Sequence, residues 1–326
     1  MAYRVLEITA SSGQVDTLRA IAEKYGARLT QIQVEDEGLE SCRIVAGPKD
    51  RQKLLDAIQA TLGSDPEAQV VIFPVQAVVP QPDSNQEEHR SPAVETREEL
   101  YNDMLKGSDT GPNFILLVVL STVVAAIGLL QDNVAVVIGA MVIAPLLGPN
   151  LAFAFAVAVG DKDLMVRSIR TTVFGLSMTL AITMALGLIW PYGLESRELL
   201  DRTVVNYGSL ALALASGTAA ALSLTTGVST ALVGVMVAVA LLPPAATFGI
   251  MAGAGEFYLA IGAATLLAAN VVSVILTAQI VFIFRGIGPR TWWERKRARA
   301  SIKLNLWVLT SFLALIAGLI YLQGQV

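Results

Sequence analysis

The sequence predicts an α-helical multi-span membrane protein with an N-terminal α+β ferredoxin-like domain, and three observations predict it. Of 326 residues, 54% are hydrophobic and 15% charged, an imbalance that a soluble domain does not carry. Beyond Asp109 no Asp, Glu, Lys or Arg interrupts 110–131, 133–160, 171–194, 203–255, 257–284 or 304–326. Residues 1–110 hold 11 Lys/Arg against 19 Asp/Glu, whereas residues 111–326 hold 12 against 8. An acidic soluble head therefore precedes a mildly basic, apolar body.

The head occupies 1–79. YRVLEIT (3–9), RLTQIQV (28–34), LESCRIVA (39–46) and QVVIFPV (69–75) read as strands. A helix at 13–25 places Val15, Leu18, Ile21 and Ala22 on one face, and a second helix at 48–62 opens on Pro48. The order βαββαβ is that of a ferredoxin-like sandwich. The first residues, MAYRVLEITASSGQ, lack a basic stretch followed by an apolar run, so they are expected not to be a signal peptide and the head to stay in the cytoplasm. One cysteine, Cys42, and one histidine, His89, allow neither a disulfide nor a zinc site within one chain. Cys42 is expected to be buried and His89 solvated.

Residues 80–110 form a linker rich in Pro, Gln, Ser, Asp and Glu, followed by an amphipathic surface helix at 93–106 that opens after Ser91-Pro92 and closes at Gly107. A helix needs about 20 apolar residues to cross the bilayer core. The charge-free runs then hold seven spans, near 113–130, 133–159, 168–190, 208–225, 229–253, 258–284 and 304–322. Lys162, Arg167 and Arg170, with seven Lys/Arg in the basic loop 286–303 and at Arg285, lie on one side, against Arg197 and Arg202 on the other. Basic residues accumulate on the cytoplasmic side, which puts the N-terminus inside and the C-terminus, after the last span in 304–326, outside.

A shift of 95 residues lays IGAMVIAPLLGP (138–149) on VGVMVAVALLPP (233–244) and carries spans one to three, 111–190, onto spans four to six, 206–285. Three spans per copy is an odd number, so the copies enter the bilayer from opposite sides, a common transporter construction. Pro145 and Pro149 in span two, and Pro243 and Pro244 in span five, each remove a backbone donor. Both helices are expected to break there, exposing groups that lipid cannot satisfy. With no charge inside the apolar runs, a solute would be held by backbone, hydroxyl or amide groups. The candidates are Asp132 and Asn133, Pro145, Pro149 and Asn150, Thr225, Thr226, Ser229 and Thr230, Pro243 and Pro244, and Asn270. Helix N-termini after the breaks would favour an anion.

No metal site, cofactor or catalytic group is expected, because an intramembrane enzyme needs paired carboxylates, a His-rich site or a Ser/Lys dyad in its spans. Trp292 and Trp293 beside Arg295, Lys296 and Arg297 suit an interfacial anchor on anionic lipid. Nucleic acid is rejected as a partner. The small-residue face Ala211, Ala215, Ser216, Ala219 and Ala220 permits close packing, within the chain or in a homo-oligomer.

The segment IGLLQDNVAVVIGAMVIAPLLGPN (127–150), preceded by REELYNDMLKGSDTGPNF (97–114), resembles the domain-of-unknown-function 389 family of prokaryotic hydrophobic membrane proteins, over about residues 97–285. The resemblance implies a multi-span protein of the cytoplasmic membrane and brings no activity with it. Function is therefore expected from the architecture: a transporter or channel for a small solute or ion, with the head placed to regulate it. The alternative is a membrane-anchored sensor or scaffold whose head binds a ligand or partner.

Overall fold

The computed structural model describes residues 3–11, 13–32, 39–47, 50–63, 65–75, 96–190, 192–226, 230–288 and 292–323; within these, the side chains of 230–240, 292–301, 304, 319, 322 and 323 lie outside the description. His89, Pro48 and Ser91-Pro92 fall outside it. The chain divides into two compact units, Met1–Glu98 and Glu99–Val326.

In the first unit β1 (Arg4–Ser11), α1 (Val15–Lys24), β2 (Arg28–Ile32), β3 (Leu39–Ala46), α2 (Arg51–Leu62) and β4 (Gln69–Pro74) follow in that order. The strands form one antiparallel sheet, β2-β3-β1-β4. Period-two alternation sends Leu6, Ile8, Ala10, Cys42, Ile44 and Ala46 to one face, where Leu18, Ala22, Leu54, Leu55, Ile58 and Leu62 cover them. Cys42 is buried there, and burial, with Glu40 nearby, raises its thiol above the ordinary range. The second helix begins at Arg51, with Asp50 at its cap position.

The second unit is helical: α3 (Arg97–Gly107, entering from the first unit), α4 (Pro112–Leu130), α5 (Val134–Ile143), α6 (Leu147–Val159), α7 (Lys162–Ile189), α8 (Arg197–Leu200), α9 (Tyr207–Thr226), α10 (Thr230–Gly253), α11 (Phe257–Phe284) and α12 (Trp292–Gln323). Among the described residues α4, α7, α9 and α11 are long and apolar enough to cross a membrane, and α5 with α6 makes a fifth if the bent pair is one span. Their outer surfaces suit lipid: Leu188, Ile189, Phe257 and Phe284 are 68–88% exposed, which water would penalise.

Local chemistry sets the ends. Pro112 opens α4, where a missing N–H costs nothing. The Asn133 carboxamide accepts from Val136 N at 3.2 Å to start α5, Asp161 does the same for Leu164 N at 3.0 Å in α7, and Gly160 ends α6 at φ 84°. The small helix α8 has no counterpart in the sequence reading. The basic segment expected as a loop to residue 303 is helical from Trp292, continuous with the last apolar stretch.

One of the two expected breaks forms. Between α5 and α6 the axis turns by 51°, and Ala144 is extended at φ −65°, ψ 123°, because a residue before proline is driven out of the helical region. At the matching place α10 runs unbroken through Pro243 and Pro244. The residue 95 positions after Pro145 is Ala240, which imposes no such constraint on Val239. Leu241, Leu242, Ala245 and Ala246 are at most 1% exposed, so packing keeps the helix unbroken.

Three tertiary contacts recur at the same 95-residue offset. The Thr122 and Thr179 hydroxyls, on α4 and α7, are 3.1 Å apart; their counterparts Gly217 and Val274, on α9 and α11, pack so closely that a Cβ on Gly217 would be 2.7 Å from Val274 Cα. The rings of Phe155 and Phe282, on α6 and α11, meet edge to face at 5.7 Å; their counterparts are Ile250 and Gly187, whose backbones touch where α10 crosses α7. Arg167 Nε donates to Ser108 O at 3.4 Å, and Gly262 lies against Thr203 O. Gly160 and Gly255 share φ 84°, each followed by a residue whose N–H bonds five back at 2.9 Å.

At the Gly187 crossing a methyl group would strike a backbone carbonyl, whereas Gly139 in α5 faces open space. Gly187→Ala is expected to cost about 1–3 kcal/mol through overpacking. Gly139→Ala should be neutral or gain up to about 1 kcal/mol from helix propensity. Thermal midpoints of the purified variants in one detergent check both, and equal midpoints would contradict the packing.

Candidate functional site

Contacts sort the loops of the membrane unit into two ends. At the first, Tyr101 OH donates to Asp161 Oδ2 at 2.9 Å, Arg167 pairs with Asp109 at 2.9 Å, Thr171 donates to Ser108 O at 2.7 Å, and Asn305 Nδ2 donates to Gln279 Oε1 at 3.1 Å. At the second, Glu198 N donates to Asp132 Oδ1 at 2.9 Å, the Ser196 hydroxyl donates to Leu129 O, and Tyr207 OH donates to Ala317 O at 3.2 Å.

The candidate residues separate accordingly. Asp132 and Asn133 sit at the second end with structural duties. Asp132, at φ 55°, tolerates the left-handed region through its short polar side chain and holds the 196–198 link. Asn133 caps α5. Thr225 donates to Leu222 O at 2.9 Å and Thr226 to the same oxygen at 2.9 Å, so both hydroxyls serve α9. Ser229 lies outside the described residues. Thr230 opens α10 with its side chain outside them, as are those of Trp292, Trp293, Arg295, Lys296 and Arg297, whose backbones begin α12.

The remaining candidates lie in the body, where α10 packs on α5, α7 and α11, and α11 on α6. Pro145 stands in the break, and Pro149 and Asn150 are buried in the first turns of α6. Asn150 Nδ2 donates to Leu146 O at 2.8 Å, so it staples the bend. Pro243 and Pro244 are buried in α10, and Asn270 is 5% exposed in α11.

Two groups were missed in the sequence. The Thr247 and Ser273 hydroxyls are fully buried, without a hydrogen-bond partner among the described residues. Burying a hydroxyl unpaired costs about 1–3 kcal/mol, so these positions would be rewarded by a polar visitor. The spacing was available: Thr247 is three residues after Pro244, and Asn270, Ser273 and Thr277 share one face of α11 at i, i+3 and i+7. The resulting donor set is neutral and oxygen-rich, suited to a polar solute or a hard cation. Among the described residues no group of three or more His, Cys, Asp or Glu is placed to hold a metal. The first unit has a pocket of about 330 Å³ lined by Arg19, Glu23, Gly26, Ala27, Arg28 and Leu29.

The sequence profile described as "Domain of unknown function (DUF389)" matches residues 141–276, from the end of α5 to α11, and so spans the break, both proline pairs and Asn270. The chain is 34% identical over 285 residues to an uncharacterised protein of Methanocaldococcus jannaschii, covering 87% of this chain and 88% of that one. No solved structure matches the chain.

At the first end, burial and the hydrogen bond to Asp161 raise the Tyr101 phenol above its usual value, which is about 10. A folded value above the unfolded one means stabilisation that is complete below the unfolded pKa and lost as pH rises through the folded one. Tyr101→Phe should lower stability at pH 7 by about 1 kcal/mol and remove that alkaline component. Thermal midpoints from pH 8 to 11 test this, and parallel curves for the two proteins would refute the role of the contact.

Proposed function

We propose that this protein, which belongs to the domain-of-unknown-function 389 family, is a multi-pass membrane transporter or channel for a small solute or ion. In this reading α4, the α5–α6 pair, α7, α9, α10, α11 and α12 make seven spans, and α3–α7 and α8–α11 are inverted copies of one unit. The first unit is a cytoplasmic ferredoxin-like domain, for which the strand order β2-β3-β1-β4 is the support.

The observation that carries the reading is the recurrence of tertiary contacts at one 95-residue offset. Chance similarity between two apolar helices would align sequences. It would not reproduce which residues touch between different helix pairs. Packing partners agree as well: α4 on α7 and α9 on α11, α6 on α7 and α10 on α11, α11 on α6 and α10 on α7. Even α8 has its counterpart, since Leu199, fully buried, stands 95 residues after the buried Met104 of α3.

Orientation has independent support. Each contact at the two ends joins segments that the distribution of basic residues puts on one side of the bilayer. Trp190, Tyr192, Tyr207, Tyr258 and Tyr321 are 53–86% exposed, on segments of the second end, as interfacial aromatics are. About 20 residues from Trp190, Tyr207, Tyr258 and Tyr321 along their helices lie Arg170, Thr226, Ala278 and Ser301, the span of one hydrocarbon core. α12 reaches both ends through Asn305 and Ala317. These features support a place in the cytoplasmic membrane with the N-terminus inside, and the absence of Asp, Glu, Lys and Arg from the apolar runs supports a non-enzymatic role.

The pocket between α1 and β2, with two arginines in its wall, favours the second reading, in which the head senses a small ligand and the body anchors it. A homo-oligomer would use what remains of the α9 face: Ser216, Gly217 and Ala220 are consumed within the chain, while Ala211 and Ala215 stay exposed.

Flux decides between them. Purified protein in liposomes is expected to pass at least one member of a panel of monovalent cations, inorganic anions and small neutral solutes about tenfold faster than protein-free vesicles, a modest rate for a specific pathway. Folded protein that passes none overturns the transport reading.

A further inference from the structure

We infer that α10 contains a closed hinge at Val239–Ala240 and that the protein changes state by opening it, an inference that rests on the transport reading. The position is fixed by backbone chemistry. In a helix the N–H of residue i bonds the carbonyl of residue i−4, and proline has no N–H. Pro243 and Pro244 therefore leave the carbonyls of Val239 and Ala240 without their helical donors. Those two residues stand 95 positions after Ala144 and Pro145, where the axis of the α5–α6 pair turns by 51°. The weakest place in the unbroken helix coincides with the open bend of its counterpart.

Only one of the two is free to switch. Pro145 forces Ala144 into the extended region and keeps the first bend open in every state. Val239 is followed by Ala240, so it can be helical or extended. What stands against opening is the burial of Leu241 to Thr247.

The parts that would move are also defined. Beyond the hinge, α10 is fastened to α7: Gly249 lies on Thr183, the Gly187 backbone meets Ile250, and Gly253 lies on the Met184 carbonyl. Beyond the first bend, α6 is fastened to α11 by Phe155 and Phe282. Each clamp joins one copy to the other. The segment before the hinge, Thr230–Ala240, is left as the lever. Val137 and Met141 of α5 share a core with Ala246, Ile250 and Met251 beyond the hinge. Leu146 and Leu241, counterparts 2% and 1% exposed, belong to one core. Opening the hinge would uncover the Leu241 side of that core, close in sequence to the Thr247 hydroxyl, which has no hydrogen-bond partner among the described residues.

The test needs no identified solute. Ala245, fully buried one turn beyond the hinge, is replaced by cysteine in a Cys42→Ala background, with Thr247→Cys as a second reporter, and the full chain in nanodiscs is treated with a charged methanethiosulfonate. Modification is expected to be slow in the parent. Pro243→Ala with Pro244→Ala supplies both missing donors and should slow it about tenfold, while Ala240→Pro, which copies Pro145, should accelerate it about tenfold, through the shift in open population. Thermal midpoints establish that each variant is folded; if Ala240→Pro is not, the comparison of parent and double variant decides. Equal rates in folded parent and double variant overturn the hinge. Flux run in parallel separates the claims: ordered labelling without flux keeps the hinge and sinks the transport reading, and flux with equal labelling does the reverse.

Discussion

The membrane unit depends on the crossing of α7 and α10, where Thr183, Met184 and Gly187 meet Gly249, Ile250 and Gly253 with almost no side chain between the backbones. Lipid tails are as apolar as leucine, so burial drives helices together weakly in a bilayer, and close packing of small residues supplies what burial does not. At this crossing α7 is locked to α10. The counterpart crossing of α6 and α11 is spaced by the Phe155 and Phe282 rings. One interface is thus tight and the other wide, an asymmetry written in the side chains.

The prolines act within that frame. A missing backbone donor costs most where neither water nor a side chain can replace it. At the first bend Asn150 Nδ2 donates to the Leu146 carbonyl, and Gly148 comes so near Gly107 that a Cβ would lie 2.7 Å from its carbonyl oxygen. α10 has no equivalent side-chain bond, because the residue 95 positions after Asn150 is Ala245. The 95-residue offset therefore also marks a difference, and it lies at α10, which runs unbroken through its proline pair.

Much of this architecture was legible. Charge-free runs located the apolar helices, since nothing except length and hydrophobicity is needed to fill a bilayer. Alternation in residues 3–9 and 39–46 located two strands of the head, and Pro145 located the bend because an X-Pro bond constrains its neighbour wherever it sits. The continuity of α10 was not legible: a proline pair inside a helix is decided by packing, which has no local signature. Nor was α8, only four residues long, or the helical start of α12 under its row of basic residues. At the candidate site an asparagine ahead of an apolar run, such as Asn133, suits a cap as well as a solute ligand, and threonines within a helix, such as Thr225 and Thr226, bond the preceding turn as readily as a solute. Thr247 and Ser273 stood out only once burial was known.

Inversion of the two copies is the central claim, and sided labelling tests it most directly. Single cysteines at Lys162, Tyr192 and Gly288, introduced one at a time into a Cys42→Ala protein, are treated with an impermeant maleimide in intact cells and in inverted vesicles. Lys162 and Tyr192 are exposed and Gly288 has room for a side chain. The account predicts that positions 162 and 288 label together from the cytoplasmic side and position 192 from the opposite side. Labelling of 192 from the cytoplasmic side and of 162 and 288 from the opposite side would mean that the α5–α6 pair is a re-entrant loop, labelling of 162 and 288 from opposite sides would mean that one of α7, α9, α10 and α11 does not cross, and either result would mean that the copies are not inverted.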